Sequence, residues 1–298
     1  MRVNKSWSRR QAGAQRSIWA LRVGAAAILA GSHAAQANGG DNDCTGPSDD
    51  CVAVGRWNLS VALGAGVRTN PLINGRDIPL VVVPQLSYYG KRFFIDNLDV
   101  GFTIAERGAN TFNLIATPGY DRVFFYRTDL QNFFIGFPDA SAPDRPFIVS
   151  PGFPGATRVP PPAPHITYLA GPEWTFKSGP VTGQLDLLRD ATGQNSGDEI
   201  RGALGMTLLK YKGTVSANIG FTWKSAATVN YYYRVPIVYT GSAAFDPFIK
   251  MGYTLPLSGK WRFNAFAEYE RLGNGIAESP IVAAHGVATA FVGMIRAF

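Results

Sequence analysis

Charge is scarce in this chain of 298 residues: Asp, Glu, Lys and Arg together make up 16%, against about 25% in ordinary soluble domains. Histidine and cysteine are scarcer still, with three and two residues, which leaves little material for a metal centre. No apolar run reaches the roughly 18 residues that a membrane-spanning helix needs, so helical spanning is excluded. Gly-rich phosphate-binding motifs are also missing. What is abundant is apolar and aromatic: 46% hydrophobic and 12% Phe, Trp or Tyr, with 33 Gly and 20 Pro. That composition excludes a disordered chain.

The positive balance is unevenly placed. The formal net charge is +7, which by itself would point toward nucleic acid. Yet Arg2, Lys5, Arg9, Arg10, Arg16 and Arg22 all precede a short apolar stretch, Val23 to Ala30, and no acid accompanies them. Ala35-Gln36-Ala37 follows. A basic segment, a short apolar segment and an A-x-A site read as a cleavable export signal over 1–37. Of the 28 basic residues six lie in that signal, so the remainder carries 22 against 21 acidic ones. The nucleic-acid reading loses its support. Residues 38–55 form a short segment before the main domain, with Cys44 and Cys51 enclosing TGPSDD. Two cysteines so close in an exported chain are expected to pair as a local disulfide; no metal-loop spacing accompanies them.

From residue 56 the pattern alternates with period two. Trp57, Leu59, Val61, Leu63, Ala65 and Val67 interleave with Asn58, Ser60, Ala62, Gly64, Gly66 and Arg68. Similar runs occupy 214–223 and 261–270. Successive side chains of a strand face opposite sides, so each run has one apolar and one polar or small face. At ten to twelve residues the runs are about twice a typical soluble strand and match a tilted strand crossing about 30 Å of hydrocarbon. Tight turns at 89–91, 177–180, 211–213 and 257–260 alternate with long links, notably a Pro-rich stretch at about 137–164 and a Tyr-rich segment at 226–240. Short turns on one side and long loops on the other are the pattern of an outer-membrane barrel. The expectation is an all-β fold: a transmembrane antiparallel β-barrel of about 12 strands (10–12) over 56–298, with the Pro-rich stretch as an outer loop. A soluble sandwich or lipocalin-like barrel also alternates, but with its apolar face inward. Strand length, aromatics near strand ends and the terminal Phe298 favour the membrane.

Candidate chemistry is sparse. His165 and His285 remain after the signal, and only His285 shares a predicted loop with a serine, Ser279. No nucleophile motif frames that serine, so neither catalytic nor metal residues are assigned, no cofactor is implied, and the chain reads as a non-enzyme. Asp186 and Asp190, Glu199 and Arg201, then Lys250, Arg262, Glu268 and Glu270 are predicted to face the lumen. Opposite charges on neighbouring strands can pair, giving either a packed polar interior or a constriction selecting small polar solutes. Tyr231, Tyr232 and Tyr233 read as an outer-loop binding surface or as part of an aromatic girdle.

Several segments, in order, resemble the MipA/OmpV family of outer-membrane proteins: Arg92-Phe93-Phe94, Asp190-Ala191-Thr192-Gly193 with Gly197, Tyr231-Tyr232, Ser279-Pro280-Ile281-Val282 and the terminal Phe298. Gly293 and Phe298 resemble the C-terminal signal read by the barrel-assembly machinery, with Arg296 where an aromatic is usual. Tyr233 stands where the family usually has Gly. The resemblance implies an envelope barrel in the outer membrane of a Gram-negative cell. Its partners would be outer-membrane lipid and lipopolysaccharide, the assembly machinery, and periplasmic enzymes that synthesise or degrade murein, which the barrel would scaffold. Some members are associated instead with solute passage, which makes a porin-like channel the alternative.

Overall fold

The structure, a computed structural model, describes residues 55–126 and 164–298. The expected export signal, the Cys44 and Cys51 pair and most of the Pro-rich stretch lie outside those residues. Within them the chain forms twelve strands: β1 (Trp57–Arg68), β2 (Ile78–Tyr89), β3 (Phe93–Asp96), β4 (Asp99–Arg107), β5 (Asn110–Pro118), β6 (Tyr168–Ser178), β7 (Val181–Asp190), β8 (Asp198–Lys210), β9 (Thr214–Lys224), β10 (Ala244–Pro256), β11 (Trp261–Arg271) and β12 (Gly286–Ala297). Every neighbour pair is antiparallel, and β12 pairs with β1, so the sheet closes into a barrel without a free edge strand. Closure satisfies backbone groups that lipid could not.

Which face is apolar decides between lipid and water. The outward positions are Leu59, Leu63, Leu114, Ile249, Phe245 and Val292, and Leu114 and Ile249 are each 51% exposed. Many inward positions are polar, charged or small: Asn113, next to Leu114, and Lys250, next to Ile249, are buried or half-buried. A soluble barrel would reverse this arrangement. The exposed apolar band identifies a barrel of the outer-membrane type.

The wall is not of even height. β3 has four residues, and Ser87 is the first β2 residue from the long-loop end to have a β3 partner, Asp96. Residues 78–86 of β2 therefore have no strand on that side among the described residues. Asn97 finishes the ladder instead: its N–H donates to the Leu86 carbonyl (2.7 Å) and its Oδ1 accepts from the Leu86 N–H (3.0 Å). Two residues before Leu86, on the same edge of the strand, stands Pro84, which has no N–H to leave unpaired.

Strands β1 and β12 close the barrel, and they do so through glycines. Gly64 and Gly293 face each other, and the Phe291 ring lies across them on the inner side. A Cβ at Gly293 would sit 2.7 Å from Phe291 Cζ and 2.8 Å from Gly64 Cα. Gly293 therefore has a packing role, and Phe291 and Ile295 face inward while Val292, Met294 and Arg296 face outward. Gly293→Leu is expected to destabilise the barrel by about 1–3 kcal/mol through overpacking. Ala290→Leu, on the lipid-facing side of the same strand, is expected to change little. Urea unfolding in lipid followed by Trp fluorescence checks the contrast; equal losses would refute the closed-seam account.

Candidate functional site: a filled lumen

The long links all leave the same end of the barrel, and several fold back into it. A 3₁₀ turn (Tyr120–Phe124) follows β5, helix α1 (Ala226–Tyr233) follows β9, and a short helix α2 (Asn274–Ala277) follows β11. Ser225 caps α1, its side chain accepting from the Thr228 N–H, as expected of an N-cap serine. Gly197 lets the β7–β8 loop approach that cap, because a Cβ there would collide with Thr228. The three pieces pack with Leu72, Ile281 and Val282 and with inward residues of the wall, Ile78, Leu80, Val287 and Phe291, into one apolar core. This core lies inside the barrel and plugs its long-loop half.

Buried charge fixes the plug to the wall. Lys224, the last residue of β9, donates to Asp121 Oδ1 at 2.8 Å and lies 3.1 Å from Asp246 Oδ2 of β10. Tyr233 donates its hydroxyl to the same Asp121 oxygen at 2.7 Å. Burial, and then the adjacent Asp121 carboxylate, push the Tyr233 hydroxyl well above its ordinary pKa, so it stays a donor throughout the physiological range. Asp246 Oδ1 accepts from the Gly273 N–H at the start of α2 (2.7 Å), and Ser279 donates to the Tyr233 carbonyl (2.7 Å). Arg201 provides a second tie. It pairs with Glu199 at 2.9 Å, donates to Thr117 Oγ1 and the Pro118 carbonyl (3.2 Å each), and lies over the Tyr120 ring.

The residues expected at the site fall as follows. Asp186, Glu199, Arg201, Lys250, Arg262, Glu268 and Glu270 all point inward by register. Lys250 and Glu268 pair across β10 and β11 at 3.2 Å, and Lys250 also lies over the Phe266 ring. Glu270 faces Arg68 at 3.9 Å. Glu199 and Arg201 pair along one strand rather than between strands. Asp190 is a correction: its carboxylate accepts from the N–H groups of Thr192, Asn195 and Ser196 (2.7–3.0 Å), so it shapes the β7–β8 loop and does not line the lumen. The tyrosines are a second correction. Tyr232 and Tyr233 are 0% exposed and Tyr231 packs against the same core, so they form neither an outer surface nor a girdle. The reason is that their segment is helical and turned inward, where three rings fill the plug. Ser279 and His285 do not form a catalytic pair: Ser279 is buried with its proton given to a carbonyl, and His285 is exposed.

Sequence reasoning missed Asp121, Lys224, Asp246 and Arg68, and also a wall of carboxylates. Glu173 accepts from Asn113 (2.6 Å) and Gln184 (2.8 Å), Gln184 also reaches Asp186 (2.9 Å), and Asp96 accepts from Tyr89 (2.9 Å). Amide and phenol donors, more than cations, satisfy that half of the lumen.

The other mouth differs. Its turns are two to four residues long, and each has a cation in it or at the strand end beside it: Lys91 and Arg92, Arg107, Lys177, Lys210 and Lys212, and Lys260, with Arg56 and Arg296 at the ends of the sheet. All of these are exposed. Glu106 is the single acidic side chain beside them among the described residues. The long-loop end mixes both signs, including Asp77, Arg122, Asp198 and Glu278.

Removing one partner from a buried ion pair leaves the other uncompensated, at a cost of about 3–5 kcal/mol. Lys224→Met is expected to show that loss in urea unfolding in lipid. Arg189→Ala, which breaks the exposed 3.2 Å pair with Asp198, is expected to cost less than about 1 kcal/mol. Comparable losses would refute the latch.

Comparison with known proteins gives a family but no close relative. No curated protein matches the chain. Among solved structures it is similar to outer-membrane expressed OmpT of Vibrio cholerae, with 11% identity, covering 81% of this chain and 97% of that one at a TM-score of 0.33. It is similar also to an anion-selective porin from Comamonas acidovorans, with 12% identity, covering 82% and 99% at a TM-score of 0.32. At those scores it is the strand pairing, not the likeness, that establishes the barrel. The family profile described as MltA-interacting protein MipA matches residues 63–298, which takes in eleven strands whole, the second half of β1 and all three plug pieces, and the chain belongs to that family.

Proposed function

We propose that this protein is a non-conducting, non-enzymatic barrel of the outer membrane that serves as an envelope scaffold, offering its periplasmic mouth to enzymes that build and cut murein. The observation that carries the reading is the filled lumen. A pore needs a continuous water path, whereas here Tyr232, Tyr233, Val229 and Ile276 occupy the long-loop half with no exposure and are tied to the wall through Lys224. Outer-membrane barrels keep short turns toward the periplasm, so a periplasmic partner would meet the basic turn tips. The family takes its description from interaction with MltA, which supports a protein partner there. The rival reading, a channel for small hydrophilic solutes, draws on the charged, partly solvated short-turn half, where Lys250, Glu268 and Arg262 face the lumen.

Two measurements separate them. In planar bilayers the purified protein is expected to give no discrete conductance steps, while the Asp121→Asn/Lys224→Met double variant, with its plug released, is expected to give them. In intact cells, a photo-crosslinker placed at Tyr211, in the β8–β9 turn and 82% exposed, is expected to capture a murein synthase or lytic enzyme. Steps from the unmodified protein together with no captured murein enzyme would favour the channel and defeat the scaffold.

A further inference from the structure

The basic mouth has a feature that a periplasmic protein partner does not explain. Arg296 is a strand residue pointing out of the barrel, in register with Val61 on one side and Trp261 on the other, both on the lipid-facing side. Its guanidinium lies over the Trp261 ring at 5.5 Å and over the Phe298 ring at 5.4 Å. It has no carboxylate side chain within ion-pair distance among the described residues. Two rings thus hold a cation on the lipid side with no hydrogen-bond acceptor for its fork among the described residues, a costly placement in hydrocarbon that becomes favourable at headgroup depth. Trp57 packs against Tyr88 nearby, the rings tilted with centroids 5.0 Å apart, and aromatic residues of this kind mark the membrane–water interface. Lys260 sits beside Arg296: its carbonyl accepts from the Ala297 N–H at 3.0 Å, and its exposed side chain leaves the adjoining turn. Arg107 likewise points outward at the foot of β4, opposite Asn110.

We propose that this rim binds the headgroups of anionic phospholipids in the inner leaflet of the membrane, with Arg296 gripping the phosphate and Lys260 adding a second positive charge beside it. A planar guanidinium matches the phosphate fork as an ammonium does not. A metal or a free anion would not require the cation to face outward, and an acidic protein approaching from the periplasm would meet the turn tips rather than the strand face. The site therefore anchors the barrel at a fixed depth and leaves the other turn tips, that of β8–β9 among them, for other partners. The proposal rests on the outer-membrane barrel and not on the scaffold reading, so either can fail without the other.

The test uses the full-length protein in nanodiscs of equal phosphatidylglycerol and phosphatidylcholine, with retained lipid read by native mass spectrometry. Retention of phosphatidylglycerol is expected to exceed that of phosphatidylcholine by at least about fivefold, the ratio that a single basic side chain near the surface supplies. The preference is expected to fall toward unity at about 0.5 M salt, where charge interactions are screened. Lys260→Gln/Arg296→Gln is expected to remove most of it, with heat-modifiable gel mobility reporting that the variant is folded. Lys260→Gln alone, a turn-tip change, keeps the test available if the double variant does not assemble, with an expected partial loss. Equal retention of the two lipids, or a preference unchanged by both substitutions, would overturn the proposal. So would displacement of the bound phosphatidylglycerol by a short poly-glutamate, which would assign the rim to an acidic protein.

Discussion

The ammonium of Lys224 lies between the carboxylates of Asp121 and Asp246, and the interior of the barrel is arranged around it. Asp121 belongs to the 3₁₀ turn, and Asp246 holds the first amide of the segment leading into α2. Tyr233, at the end of α1, shares the Asp121 oxygen. Three chain segments, the first of them more than a hundred residues from the others, thus meet on one cation and two anions. Such a cluster does not add much net stability, because desolvation offsets the Coulomb gain. Its effect is specificity: without Lys224 two buried carboxylates stand unpaired, so the pieces dock where that one cation can meet both.

Around that cluster the usual distribution of apolar surface is divided in two. One share faces outward as the lipid-contacting band, and another lies inside as the core of the plug. Between them runs a wall whose inner face is polar, with Lys250 and Glu268 paired and the carboxylates of Glu173 and Asp186 met by Gln184 and Asn113. The same wall drops at β3 and β4, where Asn97 replaces a strand partner and Pro84 removes a donor that would otherwise have no strand partner among the described residues. These features answer one pressure, that backbone and charged groups cut off from water need partners.

The barrel was legible because few folds besides a membrane barrel use long two-period runs separated by tight turns. Trp57 to Arg68 and Trp261 to Arg271 could be read almost to the residue, including which side was apolar. β3 could not, since Phe93–Asp96 is too short to show a period. The plug was hidden for a different reason. Tyr231, Tyr232 and Tyr233 carry the composition of an interfacial belt, and only the Ser225 cap ahead of Ala226 hinted at a helix. Asp190 was misplaced because the last residue of a strand can turn either into the lumen or onto its own loop, and three backbone amides drew it to the loop. Asp121, Lys224 and Asp246 find one another only in three dimensions, so no local pattern announces them.

The functional account depends on the plug being part of the fold and not a loop that happens to lie inside. Hydrogen exchange of the protein in lipid nanodiscs measures this most directly. Amides of α1, including Val229, which donates to the Ser225 carbonyl at 3.0 Å, are expected to exchange as slowly as those of β9 and β10, because they open only with the barrel. Exchange of α1 at the rate of an exposed loop, with the strands still protected, would contradict a closed barrel.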